Sequence, residues 1–193
     1  MINEIDYDQP GTDGAEFIEI QNVGTSAINL SAVSLELVNG TGGGASVYST
    51  IPLPDVNLAA GDYFVVCGNA ATVANCDLDV LPDTNLIQNG APDAVALLFE
   101  GAIVDTVSYE GNTGAPYTEG SGVDLEDIAN AGMGISRCPD GADTDQNNVD
   151  FAFAPITPGA ENACAPPPPD FGFCGDPETL IHEVQGDGLT SPL

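Results

Sequence analysis

The sequence predicts an all-β protein of the sandwich class, with two antiparallel sheets packed face to face. Short strand-like runs are separated by turn residues throughout, because the chain has 23 glycines and 15 prolines in 193 residues. Apolar and polar residues alternate at 16–20 and at 34–37, which is the pattern of half-buried strands. Helical periodicity is almost absent. Together these observations favour a sandwich over helical folds.

Eight strands are predicted in order along the chain. They are Ile2–Asp6, Glu16–Asn22, Ala27–Leu30, Val33–Val38, Ser46–Ile51, Tyr63–Cys67, Ala94–Phe99 and Ile103–Tyr109. Asn39-Gly40 and Glu100-Gly101 lie between strand-like runs, and both pairs can adopt the positive φ angles of tight hairpins. One weak helix is expected over Leu125–Ala131, with Asp124 placed to cap it. A polar stretch follows at 139–150, and Phe151-Ala152-Phe153 is expected to return to the core.

The charge balance excludes several classes of function. The chain has 30 acidic residues, no lysine and a single arginine, Arg137, and its formal net charge is −29 at pH 7. A nucleic-acid-binding face needs clustered Lys and Arg, so we expect no direct binding of nucleic acid and none of anionic membranes. Phosphoryl transfer normally needs cationic clamps that one arginine cannot supply. The cation that this composition favours is Ca²⁺, although most of the acids are expected simply to keep the protein soluble.

Cysteine usage indicates an oxidising compartment. Five cysteines occur in a chain with almost no basic residues, which is typical of secreted proteins. Cys67 and Cys76 flank a short polar loop, while Cys138 and Cys164 flank the Asp-rich stretch, so each pair is a candidate disulfide. Cys174 is then left over. No leader sequence precedes the first strand and no run approaches the ~18 apolar residues of a membrane span, so we expect a secreted protein whose signal peptide has been removed.

The chain is expected to divide into three parts. Residues 1–164 form the sandwich, 165–170 form a semi-rigid proline linker, and 171–193 form a tail. Within the tail, Thr179–Val184 alternates like a strand. Because a lone strand cannot bury itself, this segment must pair back on the sandwich, pair with another chain, or open a further module.

An Asp-rich loop is the first candidate metal site. Asp143, Asp145, Asn147 and Asp150 place oxygen ligands at alternating positions, and such oxygens can converge on one Ca²⁺. The match to an EF-hand is partial, because Asn148 stands where that loop has glycine and Ala154 where it has the closing glutamate. The alternative is a solvated loop in which Asp and Asn side chains bond to nearby backbone.

A second candidate metal site lies between the first two strands. Asp6, Asp8, Asp13 and Glu16 surround one loop, and a bound cation would relieve the repulsion among these like charges. The alternative is an acidic hairpin that faces water.

The evidence for a catalytic site is weaker than that for a metal site. Glu16 and Glu19 could form a catalytic carboxylate pair only on one face, but they fall on opposite faces of a regular strand. A Ser-His-Asp triad would need His182, which lies in the tail beyond the prolines. We expect no catalytic residues in this chain.

Several motifs occur in an order that resembles a known family. They are Ile2-Asn3-Glu4-Ile5, then residues 16–22, then Ile28-Asn29-Leu30, then residues 58–66, and finally Asn89-Gly90 with Val95-Ala96-Leu97 and Val104-Asp105. Over about residues 1–164 the chain resembles the lamin tail domain family, which implies an immunoglobulin-like β-sandwich. The family often has a tryptophan where this chain reads Ser31-Ala32-Val33-Ser34-Leu35. The acidic motifs at 6–13 and 137–150 resemble the bacterial secreted branch, in which the domain often precedes an extracellular nuclease.

These observations favour a non-catalytic secreted module, stabilised by Ca²⁺, that anchors or assembles a larger extracellular protein through a protein or cell-surface partner. One alternative is the N-terminal part of a secreted nuclease of the endonuclease/exonuclease/phosphatase type, whose catalytic domain would follow Leu193. Another is a filament subunit in which the tail adds as a strand to a neighbouring sandwich, a form of self-association.

Overall fold

A computed structural model describes residues 1–42 and 44–164 of the chain. The expected linker and tail, with Cys174, Thr179–Val184 and His182, lie outside the described residues. Twelve strands are present in the described part: β1 (Ile2–Asp6), β2 (Phe17–Gln21), β3 (Ile28–Asn29), β4 (Val33–Asn39), β5 (Ser46–Pro52), β6 (Asn57–Leu58), β7 (Tyr63–Cys67), β8 (Leu78–Asp79), β9 (Asp93–Phe99), β10 (Ala102–Tyr109), β11 (Met133–Arg137) and β12 (Phe151–Pro155).

The strands form two main sheets, which confirms the predicted all-β sandwich. The larger sheet has the order β12-β11-β1-β2-β7-β8 and the smaller one the order β10-β9-β4-β5, while β3 and β6 form a separate two-stranded ribbon. Neighbouring strands are antiparallel apart from β7 and β8, which pair in parallel. A 3₁₀ turn at Leu30–Ala32 and a four-residue helix, α1 (Asn147–Asp150), complete the described elements. Neither helical segment is long enough to cross a membrane.

The main core lies between the two sheets. Ile18 of β2 is opposite Val66 of β7, and Leu35 of β4 is opposite Leu97 of β9. All four side chains are buried in one apolar cluster. Tyr7 and Tyr109 stack with their ring centroids 4.3 Å apart. This cluster accounts for the alternation seen in the sequence, because every second residue of a strand faces the same side.

A second, smaller cluster packs on the outer face of the six-stranded sheet. Phe17, Val65 and Cys67 alternate with the inward residues of β2 and β7, and they pack against buried Val73 and half-buried Cys76. Cys76 and Val73 belong to the loop that follows β7, which the Cys67–Cys76 disulfide closes. The sheet that carries the carboxylates described below is therefore covered on both faces in this region.

Two expectations about local structure are wrong. No helix forms over Leu125–Ala131, because Leu125 is buried in the core and the backbone N–H of Asp127 donates to the Tyr7 hydroxyl at 2.8 Å. Asn39-Gly40 does not form a tight hairpin: Asn39 ends β4 and a longer turn follows before β5. The other pair is confirmed, since Glu100 and Gly101 have φ angles of 50° and 79° between β9 and β10.

Candidate functional site

The one arginine of the chain is buried and holds several acids together. The guanidinium of Arg137 lies 2.9 Å from Asp105 Oδ1, 3.1 Å from Asp143 Oδ1 and 3.4 Å from Asp150 Oδ2. We call these four residues the Arg137 cluster. Because Arg137 is 0% exposed and the chain has no lysine, the protein surface presents many carboxylates and no side chain of Arg or Lys.

Every donor group of Arg137 is engaged. Its Nε donates to the carbonyl oxygen of Ile2 at 2.7 Å, its Nη1 also donates to that of Ala142 at 3.0 Å, and its guanidinium lies 4.7 Å from the centroid of the Phe151 ring.

Burial alone would raise the pKa of Asp150. However, hydrogen bonds from Thr144 and Gln146, together with the charge of Arg137, hold that pKa below its ordinary value. This cluster is a structural anchor between the two sheets.

The structure divides the predicted Asp-rich calcium loop into two halves. Asn147 is fully buried: its Oδ1 accepts from the Ser108 N–H at 3.0 Å, and its Nδ2 donates to the Thr106 carbonyl at 2.7 Å. Asp150 belongs to the Arg137 cluster and also accepts from the Thr144 N–H at 2.9 Å. Both side chains therefore face the protein interior.

The other half of that loop joins an acid that the sequence analysis missed. Carboxylate oxygens of Glu119, Asp143 and Asp145 all lie within 4.8 Å of one another, close enough to hold one metal ion. We call these three residues the Glu119 trio. Glu119 comes from the segment between β10 and β11, and burial raises its pKa to about 7. No spacing rule links it to Asp143, so only the fold could reveal it.

The four acids of the second predicted site have separate partners. Glu16 accepts from the N–H groups of Leu86 at 2.6 Å and Ile87 at 2.9 Å, while Asp13 Oδ2 accepts from Asn89 Nδ2 at 3.0 Å. These bonds tie the segment between β8 and β9 to the residues that lead into β2. The remaining two have other partners: Asp6 Oδ1 accepts from Gln9 Nε2 at 2.6 Å, and the backbone N–H of Asp8 donates to Asp127.

Within residues 1–42 and 44–164, the Glu119 trio is the group of three acids whose carboxylate oxygens lie close enough together to hold one metal ion. The structure therefore does not gather Asp6, Asp8, Asp13 and Glu16 into one such set.

Two further glutamates anchor a loop on the outer face of the six-stranded sheet. Glu4 and Glu19 lie directly opposite each other on β1 and β2, and both are 0% exposed. Glu4 accepts from the Thr157 N–H at 3.0 Å, and Glu19 Oε2 accepts from the Gly159 N–H at 2.6 Å. Burial raises the pKa of each carboxyl to about 7. Together with Glu16, whose pKa burial also raises to about 7, we call them the loop-anchoring glutamates.

Disulfides close two of the loops that cover this face. Cys67 is bonded to Cys76 and Cys138 to Cys164, which are the two pairs expected from the sequence. The second bridge spans the segment that contains Thr157 and Gly159. Carboxylates and a covalent crosslink therefore hold the same stretch of chain.

An apolar groove opens at the edge of the sandwich near β2, β3 and β6. Its volume is about 130 Å³, and Ile20, Val23, Ile28 and Leu58 contribute to its walls. Val23 is 52% exposed and Ile28 37%. The groove adds an apolar patch to an otherwise acidic surface.

The two stacked sheets define an immunoglobulin-like β-sandwich, and the described carboxylates serve mainly as acceptors for the protein's own N–H groups. A family model for the Lamin Tail Domain matches residues 1–111, from β1 through the end of β10. Because this match covers more than half of the chain, the protein belongs to the lamin tail domain family. No curated protein matches the chain. Family and fold together indicate a non-catalytic module for interaction with a protein partner.

Proposed function

We propose that this chain is a secreted module that anchors or assembles a larger extracellular protein. The observation that carries the proposal is the combination of the lamin tail sandwich with two disulfides that close its outer loops. Disulfides persist in oxidising compartments and are rare in the cytosol. The absence of Lys and Arg side chains from the surface supports a partner that is cationic where it touches the module, because like-charged surfaces repel and complementary ones associate quickly.

A reporter fusion tests the anchoring function. The full chain is joined to an exported fluorescent protein, and the fraction of fluorescence that stays with the producing cells is compared with that of the reporter alone. We expect retention of the fusion, and we expect 1 M NaCl to release most of it, since charges are screened within about 3 Å at that ionic strength. Equal release of the fusion and the bare reporter would contradict the anchoring function.

Calcium binding at the Glu119 trio is the second part of the proposal. Its support is that Asp143 and Asp145, which come from the predicted loop, lie within ligand distance of Glu119, and that Ca²⁺ prefers such carboxylate oxygens. We expect EDTA to lower the melting temperature of the full chain, and Glu119→Gln with Asp145→Asn to reduce that effect. Asp83→Asn, which changes an exposed acid elsewhere, is the matched control. An EDTA effect that is as large in the double variant as in the natural chain would exclude the trio.

The two alternatives from the sequence stay predictions, because both rest mainly on residues outside the described part. A catalytic module after Leu193 in the parent protein would favour the nuclease. For the filament, light scattering of the chain with and without residues 170–193 gives the test, and an unchanged assembly state would exclude strand addition by the tail.

A further inference from the structure

Two short segments, residues 6–8 and residues 127–129, hold each other at the end of β1. Asp127 Oδ2 accepts from the backbone N–H of Tyr7 at 2.8 Å and of Asp8 at 3.1 Å. In return, the Asp127 N–H donates to the Tyr7 hydroxyl at 2.8 Å, and the Asp8 carboxylate accepts from the Ala129 N–H. Hydrogen bonds made by both its side chain and its backbone therefore hold Asp127 in place.

The centre of this contact is a pair of buried acids. The carboxyl groups of Asp6 and Asp127 lie within hydrogen-bonding distance of each other, and each residue is only 1% exposed. Asp127 Oδ2 accepts from two N–H groups, whereas Oδ1 is buried and has no N–H or O–H donor among the described residues if both carboxyl groups are ionised. Two adjacent carboxylates cannot both stay ionised in a buried site unless a positive charge lies between them.

The surroundings do not provide that charge. The groups that act electrostatically on Asp6 are Glu4 and Glu16, and the group that acts on Asp127 besides Asp6 is Asp8. All of these are acids. Arg137 is committed to its own cluster.

We propose that a divalent cation of the Ca²⁺ type binds between the carboxylates of Asp6 and Asp127, with Asp127 Oδ1 as one of its ligands. Both donors are hard carboxylate oxygens, which suit Ca²⁺, and two negative charges match its two positive ones. The ion would fasten the segment that replaces the expected helix to the end of β1. This site goes beyond the calcium site of the proposed function, since it shares no residue with the Glu119 trio.

The test uses the full chain with Glu119→Gln and Asp145→Asn as background, so that the trio cannot respond. Thermal melting is followed at pH 8 during titration with CaCl₂. We expect a saturable rise that reaches about 5–10 °C at 100 times the dissociation constant. Adding Asp127→Asn should abolish the rise, whereas adding Asp83→Asn should leave it unchanged.

Asn is a suitable replacement because it preserves the local contacts. Its side-chain oxygen can accept from Tyr7 and Asp8, and its NH₂ group can donate to Asp6. If the Asp127→Asn protein does not fold, Asp6→Asn gives the same test, since its oxygen can still accept from Gln9. Indifference of the background protein to CaCl₂ would overturn the proposal, and so would a rise that survives Asp127→Asn.

A shared proton is the competing explanation and has its own signature. In that case Asp127→Asn raises the melting temperature at pH 8 while CaCl₂ has no effect on the background protein, and this result would also overturn the proposal. Failure at the trio is detected separately, by comparing the CaCl₂ response of the natural chain with that of the background variant.

Discussion

The Arg137 cluster and the loop-anchoring glutamates bury carboxylates in opposite electrostatic conditions. In the cluster, Asp150 faces a guanidinium and backbone N–H groups, and its pKa is held below the ordinary value. On the outer face, Glu4 and Glu19 face only neutral donors and other acids, and burial raises the pKa of each to about 7. The balance between desolvation and hydrogen bonding decides the difference. Desolvation outweighs the hydrogen bonds at Glu4 and Glu19, whereas the hydrogen bonds from Thr144 and Gln146, assisted by the charge of Arg137, outweigh it at Asp150.

Removing the cation should have the largest effect. Arg137→Met leaves Asp105, Asp143 and Asp150 close together without their counter-charge, so we expect a loss of about 3–5 kcal/mol in the free energy of unfolding. Urea denaturation at pH 7 measures it. The double variant Arg137→Met with Asp105→Leu should recover part of the loss, because it also removes one buried charge. A loss below about 1 kcal/mol for the single variant would show that Arg137 is not the electrostatic centre of this region.

Loss of the disulfides that close the outer loops should have the next largest effect. On the chain-entropy model, replacing both Cys138 and Cys164 by Ser should lower the free energy of unfolding by about 3.5 kcal/mol, because this bridge spans 26 residues. Replacing both Cys67 and Cys76 should lower it by about 2.6 kcal/mol, because this bridge spans 9 residues. Calorimetric melting of the two variants gives the comparison. If the shorter loop proves the more important, chain entropy is not the dominant contribution.

Stability should increase as the pH falls from 8 to 5. Glu4 and Glu19 have folded pKa values of about 7 against an ordinary value of 4.5, so the folded protein binds protons that the unfolded chain releases. This contribution is fully present below pH 4.5 and is lost as the pH rises through 7. It amounts to about 1–3 kcal/mol per group, since a difference of one in pKa is worth about 1.4 kcal/mol.

Glutamine variants separate this contribution from other acids. Glu4→Gln keeps an acceptor for Thr157 and removes the charge, so urea denaturation between pH 5 and 8 should show a flatter profile than that of the natural chain. Glu161→Gln, at an exposed position, is the matched control. An unaltered profile in the Glu4 variant would mean that this carboxyl does not take up a proton on folding.

The smallest change should have the opposite pH dependence. Asp150→Asn removes a charge whose pKa is lowered in the folded state, so its contribution exists at neutral pH and is lost on acidification below the ordinary carboxyl range. We expect a cost of about 1–2 kcal/mol in the free energy of unfolding at pH 7 and a smaller cost at pH 3. Circular dichroism melts at both pH values would detect it, and a cost that is equal at the two values would contradict the assignment.

Local patterns predicted most of the longer strands. The bounds of β1 and β7 agree with expectation residue by residue, because each is a short β-rich run between turn residues. β11 was missed, since Gly134 and Arg137 give its sequence little strand character. Gly134 is nevertheless suited to its place: an added Cβ would lie 2.7 Å from the Ile5 carbonyl oxygen on the neighbouring strand. Such close approach depends on the packing of distant strands and leaves no local signal.

The positions of the acids were even harder to predict from local sequence. Spacing grouped Asn147 with Asp143, but in the fold Asn147 satisfies the backbone of β10 while Asp143 turns towards Glu119 and Arg137. Asp127 was read as part of a helix, although its main partners lie 120 residues earlier in the chain. An abundance of acids predicts that carboxylates will be important. It cannot indicate which of them will be buried, because that depends on contacts between segments far apart in sequence.

The burial of the only arginine has a practical consequence for proteolysis. Trypsin cleaves after Lys and Arg, so the chain offers it one bond, Arg137–Cys138, at the end of β11 in the middle of the folded domain. Each disulfide lies wholly on one side of that bond, so a cut would release two separate fragments. Trypsin should therefore cleave only molecules in which this sheet has opened. The rate at which the intact band disappears then reports on unfolding.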